Sequence, residues 1–189
     1  MSVRNAIKRI DEQIAYLESG KPVEIAVRSV MADMAVRIFE DGLDSSGSKI
    51  GTYNSKDELY VKPSVLPRNV APRGKPGKER NVQSRKTTYF KSYKDLRSEV
   101  GRESGFINLR LTNDLQSDWA NARVRDGVAK TPNPTRVSNH EYRITLKRQV
   151  NIDKKRGLEK RFGPIFKLTK QEEQNYARYL RKELILNAA

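Results

Sequence analysis

A single histidine limits the chemistry that this sequence can perform. His140 stands beside Glu141 at the start of a predicted strand, and the chain contains no cysteine. One histidine supports neither a two-histidine metal site nor a Ser–His pair with a spare ligand. The absence of cysteine excludes disulfides, thiol catalysis and cysteine-ligated zinc or iron–sulfur centres. We therefore interpret His140 as an incidental surface residue.

The glycine-rich stretch "DGLDSSGSKIGTY" has the composition of a calcium-binding loop, but its spacing does not fit one. When Gly47 is aligned with the central glycine of an EF-hand loop, Gly42 falls at the first carboxylate position. Tyr53 then falls where the bidentate glutamate belongs. Two strong ligands are missing, so we interpret the stretch as a turn that follows a helix.

Carboxylate pairs are the remaining candidates for acid–base catalysis. Asp57–Glu58 and Glu172–Glu173 are adjacent in sequence and surrounded by lysines, which is typical of solvated charge. Acid–base catalysis by a carboxylate pair needs two different environments, which shift the pKa values of the two carboxyl groups apart. No Walker pattern and no G-x-G-x-x-G is present either. We therefore expect no enzymatic activity, no cofactor and no metal site.

The charge of the chain points to acidic partners. It carries 38 Lys and Arg against 23 Asp and Glu, a formal net charge of +15 over 189 residues. Such a field attracts polyanions and acidic protein surfaces, and charge alone does not separate the two. One segment, residues 71–86, has six cations against the single acid Glu79. These candidate contacts to DNA or to an acidic partner are Arg73, Lys75, Lys78, Arg80, Arg85 and Lys86.

Residues 52–90 lack helical or strand periodicity, and the part from Lys62 to Lys86 has four prolines and two glycines. A loop of this length in a small domain is usually functional or disordered, so we expect an extended arm. The arm lacks the interleaved aromatics of a base-stacking surface, and the chain has no helix-turn-helix or zinc-finger spacing. Phosphate contact without sequence recognition stays open.

The N-terminal region predicts two helices. Ile7, Ile10, Ile14 and Leu17 form one helical stripe over residues 3–19, and Gly20 ends that helix. The stripe would pack either on its own domain or on a neighbouring subunit. Pro22 opens a second helix, which is apolar over more than half of its surface and is the expected central core helix. Its core-facing residues include Val27, Val30, Met34 and Ile38.

The second half of the chain predicts a mixture of helices and strands. Ser92, with Asp95 three residues on, is a helix N-cap signal. "FINLRL" alternates with a period of two, which predicts a half-buried strand or extended segment, and Thr112 would cap the helix after it. The core-facing residues of this region are Leu109, Leu111, Leu115 and Trp119.

The last third of the chain predicts a strand pair and two further helices. "ARVRDGVAK" and "HEYRITLKRQV" are expected to pair as antiparallel strands across the prolines at 132 and 134. "IDKKRGLEKRFG" predicts a short basic helix, and "PIFKL" an extended segment. Thr169 and Glu172 form a capping-box pattern that opens a final helix.

These elements predict an α+β fold, with a small antiparallel sheet packed with N-terminal and C-terminal helices and a long basic loop or arm inserted. We expect a single domain over residues 1–189, with residues 52–90 as the arm within it. The N-terminus has no uninterrupted apolar core of the kind a signal peptide needs, and no run approaches the ~20 apolar residues of a membrane helix. We expect no membrane contact.

Three segments carry a family resemblance, and they are "RIFEDGLDSSGSKIGTY", "YKDLRSEVGRESGFINLRLTNDLQSDW" and "NIDKKRGLEKRFGPIFKLTKQEE". Together, and in this order, they resemble the tail-completion or head–tail joining (neck) proteins of tailed bacteriophages. The similarity spans most of residues 22–186 apart from the basic arm. Many members of the family pass from the turn directly into an aromatic-rich strand, whereas this chain has the long insert.

The resemblance implies a structural virion protein that assembles into a homo-oligomeric ring at the head–tail junction. It would join portal or adaptor to tail proteins around the DNA path, after synthesis in the host cytoplasm. The cations of the arm leave non-specific contact with genomic DNA open as a further interaction. Two alternatives stay open. One is a basic nucleic-acid-binding accessory protein, and the other is the related tail terminator, one layer lower.

Overall fold

The computed structural model describes residues 3–66, 70, 73–75, 87–110, 113–123 and 131–186. Within these ranges the chain forms six α-helices and two antiparallel sheets of two strands each. The predicted α+β class is confirmed. Helices dominate, and the largest packing interface joins the second helix to the last one. Of the predicted core, Leu111 lies outside the described residues, as does the cap residue Thr112.

Two helices open the chain, as predicted. Helix α1 spans Val3–Glu18 and α2 spans Lys21–Ala35, with a proline in the first turn of α2. Gly20 joins them with φ of 74°, a left-handed conformation that favours glycine. A Cβ at Gly20 would stand 1.7 Å from the backbone oxygen of Asn139, so the position also needs the small size of glycine.

Helix α2 supplies the centre of the core and continues into a π-helical turn, Val36–Glu40. The core cluster combines residues of α2 and this turn with side chains from distant segments, including Ile50, Ile107, Leu146 and Ile165. Of the predicted core residues, Val30, Met34, Ile38, Leu115 and Trp119 are buried, and Val27 and Leu109 pack against them partly buried.

The segment predicted as a featureless arm contains the first sheet. Strand β1, Leu59–Val61, pairs antiparallel with β2, Thr88–Phe90, with Tyr60 opposite Tyr89. Each strand has three residues, too few for an alternating pattern to be seen in the sequence. The pairing closes the base of the arm, and helix α3, Tyr93–Glu99, follows it directly. The Ser92 hydroxyl accepts a hydrogen bond from the Asp95 amide, which confirms the predicted cap.

The strand or extended segment predicted at "FINLRL" does not form a strand over residues 106–110, and its extension is interrupted. The backbone turns at Leu109, where φ is 55°, and both Ile107 and Asn108 are buried, so the alternation of faces is lost. One hydrogen bond, from the Ile107 amide to the Gly51 carbonyl, ties the segment to the chain at 51. Helix α4, Asp114–Trp119, begins after Asn113, which has φ of 60°.

The second sheet pairs β3, Thr135–Arg136, with β4, Tyr142–Arg143. The partner of β4 therefore follows the prolines, whereas the sequence predicted it before them. Residues 124–130 of that predicted strand lie outside the described residues. The short loop between β3 and β4 costs less conformational entropy to close than a longer loop through the proline segment would.

Two helices complete the fold, as predicted. Helix α5 spans Gln149–Phe162 and α6 spans Lys170–Leu186. The capping box of α6 is confirmed in both directions. The Thr169 hydroxyl accepts from the Glu172 amide at 3.0 Å, and a Glu172 carboxylate oxygen accepts from the Thr169 amide at 2.8 Å. The expected extended segment "PIFKL" forms no strand and lies between the two helices.

Candidate interaction surfaces

Arg73 of the basic arm is held by its own chain. Its guanidinium donates to the Tyr89 carbonyl at 2.9 Å, to Asp95 at 2.6 Å and to Glu99 at 2.8 Å. It also lies over the ring of Phe90, 4.8 Å from the centroid. The Tyr89 amide donates back to the Arg73 carbonyl at 2.8 Å. Arg73 therefore fastens the arm to β2 and to α3.

Lys75 forms a second contact that holds the arm to the rest of the chain, through Glu58. Its ammonium lies 2.7 Å from a carboxylate oxygen of Glu58, and this hydrogen bond raises the pKa of Lys75. The Tyr89 hydroxyl donates to the same carboxylate. Both described cations of the predicted DNA-contact set are thus paired with carboxylates of the same chain. The other four, Lys78, Arg80, Arg85 and Lys86, lie outside the described residues.

The apolar stripe of α1 is exposed. Its five members, Val3, Ile7, Ile10, Ile14 and Leu17, have between 45% and 76% of their surface accessible. The more deeply buried side of α1 carries Ala6, Gln13 and Tyr16 instead, and the Tyr16 hydroxyl donates to Glu183 of α6. Helix α1 therefore attaches to the domain through a side without large aliphatic residues and leaves its isoleucine stripe exposed to solvent.

An apolar groove of about 870 Å³ lies elsewhere on the domain, between the segment 52–54, α3, α4 and α5. A groove of this size is in the range of ligand and side-chain binding sites. Its apolar lining comes from Ile107, Leu109, Leu115, Leu158 and Phe162. The exposed Gly157 of α5 also lines it, and a Cβ there would meet nothing within 4 Å.

The polar groups at the base of the groove already have hydrogen-bond partners within the chain. Arg97 is buried, donates to the Glu103 carbonyl and to Asn108, both at 2.6 Å, and stacks over the ring of Tyr53. The Tyr53 hydroxyl accepts from the Asn108 amide at 3.1 Å. Burial raises the pKa of Tyr53, against the opposing effect of that amide, so the hydroxyl stays protonated at neutral pH.

Two cations of α5 stand at the groove without a carboxylate partner among the described residues. Lys154 only reaches its neighbour Asn151, at 3.4 Å, and the Arg161 guanidinium lies over the ring of Phe162, 5.0 Å from the centroid. Asp114, the one acid among the described residues that line the groove, lies 3.8 Å from Arg148. The groove is therefore an apolar surface with a basic edge.

The groove was not predicted from the sequence, although the sequence of α5 contains part of the pattern that forms it. Lys154, Gly157, Leu158 and Arg161 recur at steps of three, one and three, so they share one face of α5. The other walls come from α3, α4 and residues 52–54, and only the tertiary structure brings these together.

Neither candidate metal position gathers ligands. His140 is exposed, and Asp44 of the glycine-rich turn accepts from the Ser46 and Ser48 amides and from the Ser46 hydroxyl. Burial acts to raise the pKa of Asp44, but these hydrogen bonds outweigh it and hold the pKa below its ordinary value. Over the described ranges, no group of three or more potential metal-binding side chains occurs.

Among the helices that the structure describes, none combines the length and the apolar character needed to cross a bilayer. No protein-family model matches the chain, and searches of the curated proteins and of the solved structures found no match either.

Proposed function

We propose that this protein is a structural component of a bacteriophage neck, a tail-completion or head–tail connector subunit that forms a homo-oligomeric ring. The ring would join portal to tail around the path of the genome and would act by binding, without catalysis. The observation that carries the proposal is the exposed apolar face of α1. The resemblance of three ordered segments to the neck family supplies the biological setting.

A solvated apolar face of this kind favours association. Burying accessible apolar surface is worth roughly 25 cal/mol per Å², and contiguous exposed apolar patches commonly mark protein–protein contacts. The stripe runs along α1 from Val3 to Leu17, so it is about 21 Å long at a rise of about 1.5 Å per residue. The core of the domain does not use this face, which leaves it free for another subunit.

The groove supports a binding role over a catalytic one. Its buried hydrogen-bonding groups, on Arg97 and Tyr53, are engaged within the chain. Among the described residues, no nucleophile and base come together at the groove. Lys154 and Arg161, which have no carboxylate partner among the described residues, are suited to binding an acidic surface.

A basic nucleic-acid-binding accessory protein is the second candidate, and the net charge of +15 favours it. Duplex DNA bound through phosphate contacts would show an affinity that falls steeply with salt. The neck assignment instead expects a discrete oligomer whose cohesion is largely independent of salt, because apolar burial holds it together.

The deciding experiment is sedimentation of the purified full chain over a concentration series at low and high salt, alone, with duplex DNA, and with the portal protein of the same phage. Rings that form alone or on the portal support the proposal. Monomers or dimers that bind DNA with a steep salt slope support the accessory protein. Rings that bind isolated tails and leave portals free indicate a tail terminator. A chain that joins neither portal nor tail contradicts the neck assignment.

A further inference from the structure

We propose that the exposed stripe of α1 in one subunit binds in the groove of the next copy of the same chain. The inference rests on the proposed ring and names the contact that would hold it together. The two surfaces share no residue and no secondary-structure element. A contact between two different surfaces of identical subunits is head-to-tail, and such contacts close into rings when the rotation allows it.

Apolar complementarity is the first argument. The stripe offers isoleucine and leucine side chains along one face of a helix, at the spacing by which helices bind in grooves. The groove offers leucine, isoleucine and phenylalanine walls, and its polar base is already hydrogen-bonded. Filling it with apolar side chains therefore leaves no buried donor or acceptor of the base without its partner.

Charge complementarity is the second argument. Asp11 and Glu18 follow Ile7 and Ile14 by four residues, so both carboxylates flank the stripe on the helix surface. Neither makes an ion pair with any described residue. Lys154 and Arg161 at the groove are likewise without carboxylate partners there. Arg4, seven residues before Asp11, stands on the same side of α1, so this flank is acidic over the last two turns of the helix, from Asp11 to Glu18. That part of the stripe matches an apolar groove with a basic edge.

The main rival is a two-fold pair of α1 helices from two copies. Arg4, Lys8 and Arg9 precede the acids Asp11, Glu12 and Glu18 along α1, so an antiparallel pair would also bring opposite charges together. Such a pair would give a closed dimer and would leave the groove empty. The two arrangements differ in whether a change in the groove affects assembly.

The test uses two variants that leave the monomer intact. Ile10→Gln/Ile14→Gln changes two side chains that are about half exposed, so the core is not disturbed. Gly157→Glu puts a helix-favouring side chain and a negative charge into open space at the groove. Self-association of the full chain is measured by sedimentation velocity, with circular dichroism to confirm folding.

We expect the stripe variant to weaken self-association more than about 100-fold, from the loss of two buried isoleucines, and Gly157→Glu to weaken it more than about tenfold. Matched controls are Arg9→Gln, on another face of α1, and Gly157→Ala, which leaves the groove open. Both controls should stay within about threefold of the parent chain. When the two defective variants are mixed, each retains one intact surface, so a 1:1 heterodimer should form.

Chemical cross-linking gives an independent measurement. The chain has no cysteine, so Ile14→Cys and Gly157→Cys variants each carry a single thiol. A short bis-maleimide should join the two variants to each other when they are mixed. Cross-linking of Ile14→Cys chiefly to itself would instead support the two-fold pair of helices and overturn the inference.

The inference and the proposed function fail in different ways. Full assembly by Gly157→Glu, or a parent chain that never self-associates, overturns the contact between stripe and groove. Rings that persist in both variants overturn it while leaving the neck assignment standing. Conversely, the contact stands and the neck assignment falls if the parent chain assembles through stripe and groove but joins neither portal nor tail.

Discussion

Arg37 and Glu172 form a buried ion pair that joins the end of the central helix to the start of the last one. The Arg37 Nε atom donates to the Glu172 Oε1 atom at 2.7 Å. The remaining guanidinium nitrogens donate to the carbonyls of Leu43, Ile165 and Lys167 at 2.9–3.1 Å. The second carboxylate oxygen of Glu172 caps α6 through Thr169. One pair thus positions the turn after α2, the segment before α6 and the first turn of α6.

We expect Glu172→Gln to lower the free energy of unfolding by about 3–5 kcal/mol, because Arg37 would keep a buried charge without a counter-charge. The measurement is urea unfolding, with the midpoint falling and the slope unchanged. Glu173→Gln is the control, since Glu173 is exposed in the same turn, and it should change stability by no more than about 0.5 kcal/mol. Equal losses in both variants would contradict the structural role of the pair.

Gly20→Ala tests the close approach between the α1–α2 junction and residue 139. Gly47→Ala is the control, because Gly47 also has positive φ but a Cβ there would meet nothing within 4 Å. We expect about 1–2 kcal/mol of destabilisation at Gly47 from left-handed strain alone. The loss at Gly20 should be clearly larger, because its Cβ would stand 1.7 Å from the Asn139 oxygen. Thermal unfolding of both variants measures the difference.

Arg73→Gln tests whether this arm residue serves the fold or a DNA contact. We expect a loss of about 1–2 kcal/mol in unfolding free energy, from one hydrogen bond to Tyr89 and two partly exposed ion pairs. Lys62→Gln, an exposed change in the same arm, should have almost no effect. The slope of duplex-DNA affinity against salt should be the same for both variants. If the magnitude of this slope decreased by about one unit for Arg73→Gln alone, Arg73 would instead be in contact with a DNA phosphate.

Asp44→Ala tests the turn after the central helix through its pH dependence. The pKa of Asp44 is depressed in the folded state, so its stabilising effect is present above the unfolded value, close to 3.8, and is lost as the pH falls through the folded value. We expect the variant to lose about 1–2 kcal/mol at neutral pH, and the difference to shrink below pH 3.8. Urea midpoints across pH measure this. Asp41→Ala, an exposed neighbour, is the control and should change stability at neutral pH by no more than about 0.5 kcal/mol.

Local signals in the sequence predicted most of the helices. The Ser92 cap, the Thr169–Glu172 capping box and the proline that opens α2 involve residues within a few positions of each other. The interactions that stabilise these helix ends form between residues within one turn of the chain, so the local sequence is sufficient to predict them. The same holds for the helical spacing of Ile7, Ile10 and Ile14.

The sheets depended on contacts that the sequence does not show. Strands of two or three residues carry no periodic signal, and the partner of Leu59–Val61 lies about 30 positions along the chain. The alternation in "FINLRL" suggested a strand, but the positive φ of Leu109 and the buried Asn108, which binds Arg97 and Tyr53, require a turn. Tertiary hydrogen bonds there override the local pattern.

The sequence by itself determined the net charge, the lack of cysteine, the α+β class and the faces that the helical residues share. Only the tertiary structure decided that the stripe of α1 faces solvent while α2 is buried. It also showed that Glu172, which the sequence predicted to be solvated, is buried against Arg37, 135 positions away. The physical reason is that periodicity fixes which side chains lie on one face of a helix. Whether another element covers that face depends on contacts between residues far apart in the chain.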